Sequence, residues 1–165
     1  MDNLIADGKI EPFLVVMTYG MTNEQRLGIP GPTSADFEKV LCDELVPYID
    51  AHYRTRADKW GRAMAGLSMG GGETHTITLA RPEMFGYYGL LSGGVYTPDE
   101  IKDKNQVKGI FIGCGSKESA ERTLNAVADL KASGFNAKGY ISEGTAHEFL
   151  TWRRCLYEMA PMLFK

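Results

Sequence analysis

The chain has 165 residues, 44% of them hydrophobic and 24% charged, which is the size and make-up of one globular domain, expected to span 1–165. A net charge of -3 with no basic cluster argues against a nucleic-acid partner, and no apolar run approaches the ~20 residues of a membrane span. Residues 1–10 show no basic region followed by an apolar stretch, so no signal peptide is read; the default compartment is the cytoplasm, with secretion the alternative for a trimmed chain.

In chain order, residues 1–9 read as the end of a helix stopped by Asp7-Gly8. Residues 12–18 form a continuous apolar run, the mark of a strand buried on both faces, and Tyr19-Gly20 ends it. A Gly- and Pro-rich loop follows over 21–33. Ser34 suits an N-cap for a helix over 35–53, whose Phe37, Val40, Leu41, Leu45, Val46 and Ile49 share one face; Pro47 should kink or divide it. A strand over 62–67, a helix over 73–80, a strand within 84–91 and a strand over 107–114 come next. A helix over 120–133 turns Leu124, Val127 and Leu130 inward; a last strand covers 137–142, and Phe149, Trp152, Leu156, Met159 and Leu163 mark a final amphipathic helix. Strands alternating with helices predict a mostly parallel sheet of about five strands with helices on both faces, three layers in all, and the short polar stretch 96–108 leaves no room for a lid.

The chemistry centres on Gly66-Leu67-Ser68-Met69-Gly70, a G-x-S-x-G between a predicted strand and a predicted helix. That is the setting of a nucleophile elbow: the serine sits on a strained turn, which demands small residues two before and two after it, and the following helix aims its first N–H groups at the reaction centre. A nucleophilic serine needs a base and an acid, in chain order serine, acid, histidine. Of the three histidines, His52 and His75 precede any acid in that order, and only His147, in a loop beyond the last strand, can follow one. The acid should follow the strand over 107–114, where Glu118 is the candidate and Glu121, a turn into the helix, its rival. Cys42, Cys114 and Cys155 match no zinc spacing and read as reduced, mostly buried thiols, so neither metal nor cofactor is expected.

Several segments together carry a family resemblance: residues 3–10, 45–49 (Leu-Val-Pro-Tyr-Ile), 65–72, 113–118 (Gly-Cys-Gly-Ser-Lys-Glu), His147, and Trp152-Arg153. The chain resembles the feruloyl and acetyl-xylan esterases of the esterase D-like group of α/β-hydrolases, nearly from end to end. The resemblance implies a serine carboxylesterase with Ser68, Glu118 and His147 as its triad, acting on short-chain acyl or hydroxycinnamoyl esters, and Trp152 at the substrate site. The family's acid is more often Asp, so Glu118 is a conservative departure. Family members match this chain from their fourth strand onward; the third strand, and the His-Gly turn that supplies half of the oxyanion hole, have no counterpart in these 165 residues. One oxyanion donor is then the Met69 N–H. The run over 12–18, if it closes the gap beside the elbow strand, would bring a second from Tyr19, Gly20 or Met21. An edge left open at that run predicts a homo-oligomer. The alternative reading is a hydrolase core that binds a partner without turnover.

Overall fold

The computed structural model describes residues 1–20 and 34–165, with side chains throughout these except at 34–36. Two compact units divide the chain: 13–57, and a larger unit made of 1–12 with 58–165. The expected loop over 21–33 and the capping by Ser34 lie outside the described residues and side chains.

In the smaller unit, α2 (Ser34–Lys39) runs into a π-helical segment, Val40–Leu45, and then into α3 (Val46–His52). Pro47 explains the division. It has no N–H to donate to the carbonyl four residues earlier, and its ring crowds that carbonyl. The turn before it widens, so that the Val46 N–H reaches back five residues to the Leu41 carbonyl. The strand expected over 12–18 does not form: residues 11–19 carry no strand assignment. An apolar run supplies the composition of a strand but not the neighbour whose backbone would complete one.

The larger unit opens with α1 (Asp2–Ala6) and holds the sheet: β1 (Ala63–Leu67), β2 (Tyr87–Leu91), β3 (Gly109–Gly115) and β4 (Ala137–Ser142). All pairings are parallel and the order is β1-β2-β3-β4, so the described residues give four strands where about five were expected. β2 and β3 are buried at every position, as central strands covered on both faces must be. Two helices cross over one face, α4 (Met69–Ala80) against β1 and β2 and α5 (Ala120–Ala132) against β3 and β4. The last helix, α6 (Phe149–Met159), covers the other face, and the unit ends in a short 3-10 turn, Ala160–Met162.

The alternation of side chains along the strands separates the two cores. Leu91 and Phe111 pack with Cys155 and Met159 of α6, joined at the rim by Tyr140 and Trp152. One residue out of phase, Cys114 meets Thr123 of α5 (Sγ to Oγ1, 3.3 Å), and a Cβ on Gly139 would stand 3.1 Å from Val127 of the same helix. The helix faces differ from the periodicity reading. Leu124 is 52% exposed, Phe149 79% and Leu156 42%, while Thr151, Cys155 and Met159 point inward. Thr151 can take the inner face of α6 because its hydroxyl finds a hydrogen-bond acceptor there, which removes the usual cost of burying it.

Candidate active site

Parallel strands end on one edge of the sheet, and here each strand delivers one residue to it. Ser68 follows β1, Ser92 follows β2, Glu118 lies three residues beyond β3, and His147 five beyond β4. The register aligns Leu67 with Leu91 and Leu91 with Gly113, so these tips are level.

The serine turn is tight. Ser68 has φ 52° and ψ -119°, a region that costs a non-glycine residue roughly 1–3 kcal/mol. Its N–H remains in the sheet, donating to the Leu91 carbonyl (2.9 Å). The helix begins at once, at Met69 rather than at Glu73 as expected, because the Gly71 N–H already closes a turn on the Ser68 carbonyl (3.0 Å). The steric demand falls on Gly66, as the motif suggests, but on Gly71 in place of Gly70. A Cβ on Gly66 would collide with the Gly70 carbonyl, and one on Gly71 would stand 2.5 Å from the Gly93 Cα, whereas Gly70 has nothing within 4 Å of its missing Cβ. The Met69 N–H lies in the first helical turn, where backbone donors have no intrahelical acceptor.

His147 Nε2 is 2.7 Å from Ser68 Oγ, and His147 Nδ1 is 2.8 Å from Glu118 Oε1. Glu118 Oε2 accepts two more hydrogen bonds, from the Gly115 N–H (2.7 Å) and the Ser92 hydroxyl (2.8 Å). Burial pushes the Glu118 carboxyl up, but the Gly115 N–H, the His147 ring and the Ser92 hydroxyl together hold it below the usual carboxylate value. The sign follows: the ionised form adds stability above the ordinary glutamate value, and that contribution is lost as the pH falls through the lowered one.

The histidine loop is anchored at its base. Thr145 and Thr151 are buried; the Thr151 hydroxyl donates to the Ala146 carbonyl (2.5 Å), its Oγ1 lies 2.7 Å from Thr145 Oγ1, and Thr145 Oγ1 lies 2.9 Å from the Ser142 carbonyl. The acid loop leans on it: the Lys117 N–H donates to the Thr145 carbonyl (3.0 Å), and a Cβ on Gly115 would strike that same carbonyl.

Of the residues expected from sequence, Ser68, His147 and Glu118 are therefore brought into one hydrogen-bonded series. Glu121 is in the first turn of α5. His52 is stacked on Tyr48 (ring centroids 4.0 Å), and His75 pairs with Glu100 (3.2 Å) and stacks on Tyr96 (4.8 Å). Trp152 sets its ring edge-on to His147 (5.1 Å) and donates its indole N–H to Ser92 Oγ (3.1 Å). Tyr19 and Gly20 stand on the segment that forms no strand, and the Gly20 N–H is directed at Thr18 Oγ1 (3.3 Å); Met21 lies outside the described residues. Sequence reasoning missed Ser92, which belongs to no motif; its signal is structural, a positive φ of 52° at a strand tip beside the elbow.

The sequence model of the Esterase family matches residues 1–162. The chain belongs to that family. It is 66% identical, over 166 aligned residues that take in the whole chain, to an endo-1,4-beta-xylanase/feruloyl esterase of Xylanibacter ruminicola, and it spans 23% of that curated relative's length. Among solved structures it is similar to a mutant of the feruloyl esterase module from Clostridium thermocellum complexed with sinapinate (21% identity, TM-score 0.73, 99% of this chain and 68% of that one). It is also similar to the enterobactin esterase from Shigella flexneri in the presence of enterobactin (21% identity, TM-score 0.73, 96% of this chain and 44% of that one). These structural likenesses establish the α/β fold of the esterases.

Proposed function

We propose that the protein is a serine carboxylesterase that hydrolyses short-chain acyl or hydroxycinnamoyl esters through Ser68, His147 and Glu118. The observation that carries this reading is the unbroken hydrogen-bonded series from Ser68 Oγ through the imidazole to the Glu118 carboxylate. A carboxylate only accepts, so His147 Nδ1 carries the proton and donates it to Glu118; Nε2 then holds a lone pair and accepts from the Ser68 hydroxyl. Ser68 Oγ attacks the ester carbonyl while its proton passes to Nε2. The imidazolium returns that proton to the departing alcohol, leaving an acyl-serine. Water, deprotonated by the same nitrogen, releases the acid. The Met69 N–H is the first donor to the developing oxyanion, at the N-terminus of α4. Assigning a second donor to the Tyr19-Gly20 turn rests on the sequence expectation alone. The choice of hydroxycinnamoyl esters is supported by the feruloyl esterase name of the Xylanibacter ruminicola relative.

A panel of p-nitrophenyl esters from acetate upward, together with methyl ferulate, tests the reading: turnover is expected on short acyl chains and on methyl ferulate. Absence of turnover on every ester, with no labelling by a fluorophosphonate, would overturn it. Glu118→Gln is expected to lower kcat by about 10⁴, the loss seen when a triad acid loses its charge and with it the tautomer it fixes. Glu121→Gln should change it little, and the reverse result would move the acid into α5.

A homo-oligomer is proposed as well. Leu14, Val15, Val16, Met17 and Tyr19 are exposed, and an exposed apolar run recruits partners. Multi-angle light scattering at high concentration should give at least a dimer mass, and a monodisperse monomer would contradict this.

A further inference from the structure

Outside the Ser68–His147–Glu118 series, the feature that stands furthest from chance is Ser92. Among the described residues, two at the strand tips combine a side chain with φ 52°: Ser68, and Ser92 at the tip of the next strand. The strain at Ser92 is held by its N–H, which donates to the Gly113 carbonyl (2.8 Å) and so clamps the turn onto β3. Its hydroxyl lies between Trp152 Nε1 (3.1 Å) and Glu118 Oε2 (2.8 Å).

The direction of each bond follows from the chemistry of the ends. An indole N–H can only donate and a carboxylate can only accept, so the Ser92 oxygen accepts from Trp152 and gives its single proton to Glu118. A hydroxyl fixed on both sides has no rotational alternative. Glu118 thus takes three hydrogen bonds, with Ser92 and Gly115 on the oxygen that His147 does not use. The glutamate side chain has one more rotatable bond than the aspartate more common at this place, and gripping Oε2 from two sides removes that freedom.

We propose that Ser92, oriented by Trp152, is a positioning residue that fixes the Glu118 carboxylate and thereby the angle at which His147 meets Ser68. The proposal rests on the esterase reading above and extends it to a residue that touches none of the reacting atoms.

The test uses Ser92→Gly, which deletes the hydroxyl while suiting the positive φ, and Trp152→Phe, which deletes the indole N–H while keeping an aromatic ring. Steady-state kinetics on p-nitrophenyl acetate are measured across pH, beside the rate of fluorophosphonate labelling of Ser68. For Ser92→Gly the expected result is a kcat about ten- to a hundredfold lower with KM within about twofold, since a hydrogen bond to a charged group is lost and substrate contacts are not. The acid limb of kcat/KM should also move to higher pH, because a carboxylate with one donor fewer protonates more readily. Trp152→Phe should show the same pattern at a smaller amplitude. A role confined to folding would lower the melting temperature and leave the acid limb where it was. If the wild type is labelled at Ser68 and turns over ester while Ser92→Gly keeps the wild-type kcat and acid limb, the proposal is overturned and the esterase reading stands. If the wild type is neither labelled nor active, the esterase reading fails, and this proposal with it.

Discussion

Replacing Ser68 with alanine is expected to abolish ester turnover, with a loss on the order of 10⁶ in kcat, or about 8 kcal/mol of transition-state stabilisation. The size follows from what is removed. Without Oγ no acyl-enzyme can form, and the rest of the site would retain only the oxyanion donor and binding, which in known serine hydrolases leave about 10³–10⁴ over water. The substitution keeps the Cβ and hence the packing of the turn, whose tightness comes from Gly66 and Gly71. Thermal unfolding should therefore stay within a few degrees of the wild type, where about 1 kcal/mol corresponds to roughly 2–4 °C for a chain of this size. Measurement of p-nitrophenyl acetate hydrolysis and of fluorophosphonate labelling reads the outcome directly. Turnover retained in a folded Ser68→Ala would mean that the nucleophile lies elsewhere.

A loss of comparable size is expected for His147→Ala, because nucleophile and base act as one unit and removing either costs nearly as much as removing both. The controls are the other two histidines. His52 has its Nδ1 on the Tyr48 carbonyl (2.7 Å) and its ring on Tyr48. His75 is held by Glu100 and Tyr96. Neither arrangement involves Ser68, so His52→Ala and His75→Ala should keep kcat within a few-fold of the wild type. Inactivity of a folded His75→Ala would move the base to α4.

Much of this site is legible in the sequence because its parts are local. G-x-S-x-G announces a strained turn within five residues, and chain order selects His147 from only three histidines. Glu118 is found by its distance past an apolar run. Ser92 is not found this way, since its partners are 26 and 60 residues distant and meet it only through the register of β2 on β3 and the packing of α6. The fold follows the same division. Periodicity locates the described strands and helices of the larger unit to within a few residues, yet it turns Leu124, Phe149 and Leu156 the wrong way. The inner face of α6 is chosen by Thr151 and Cys155, small side chains that a hydrophobic pattern undervalues. The run over 12–18 shows the opposite failure. Its composition is that of a buried strand, but strand formation is settled by a neighbour that the run does not itself encode.

The threonine anchorage of the histidine loop has a consequence for how the site would fail on heating. Lys117 and Gly115 hold the loop of Glu118 against the loop that carries His147, so these two side chains are placed together. Ser68 stands at the tips of β1 and β2, where Gly71 lies against Gly93. Beyond the ladder of β2 on β3, the two sets of tips are joined by Ser68 with His147, by Ser92 with Glu118 and Trp152, and by the Ser92 N–H with the Gly113 carbonyl. Partial opening below the melting temperature should then part serine from imidazole while imidazole and carboxylate stay together. Inactivation would precede loss of secondary structure and would reverse on cooling, as an enzyme disarmed at its loop tips regains its rate without refolding.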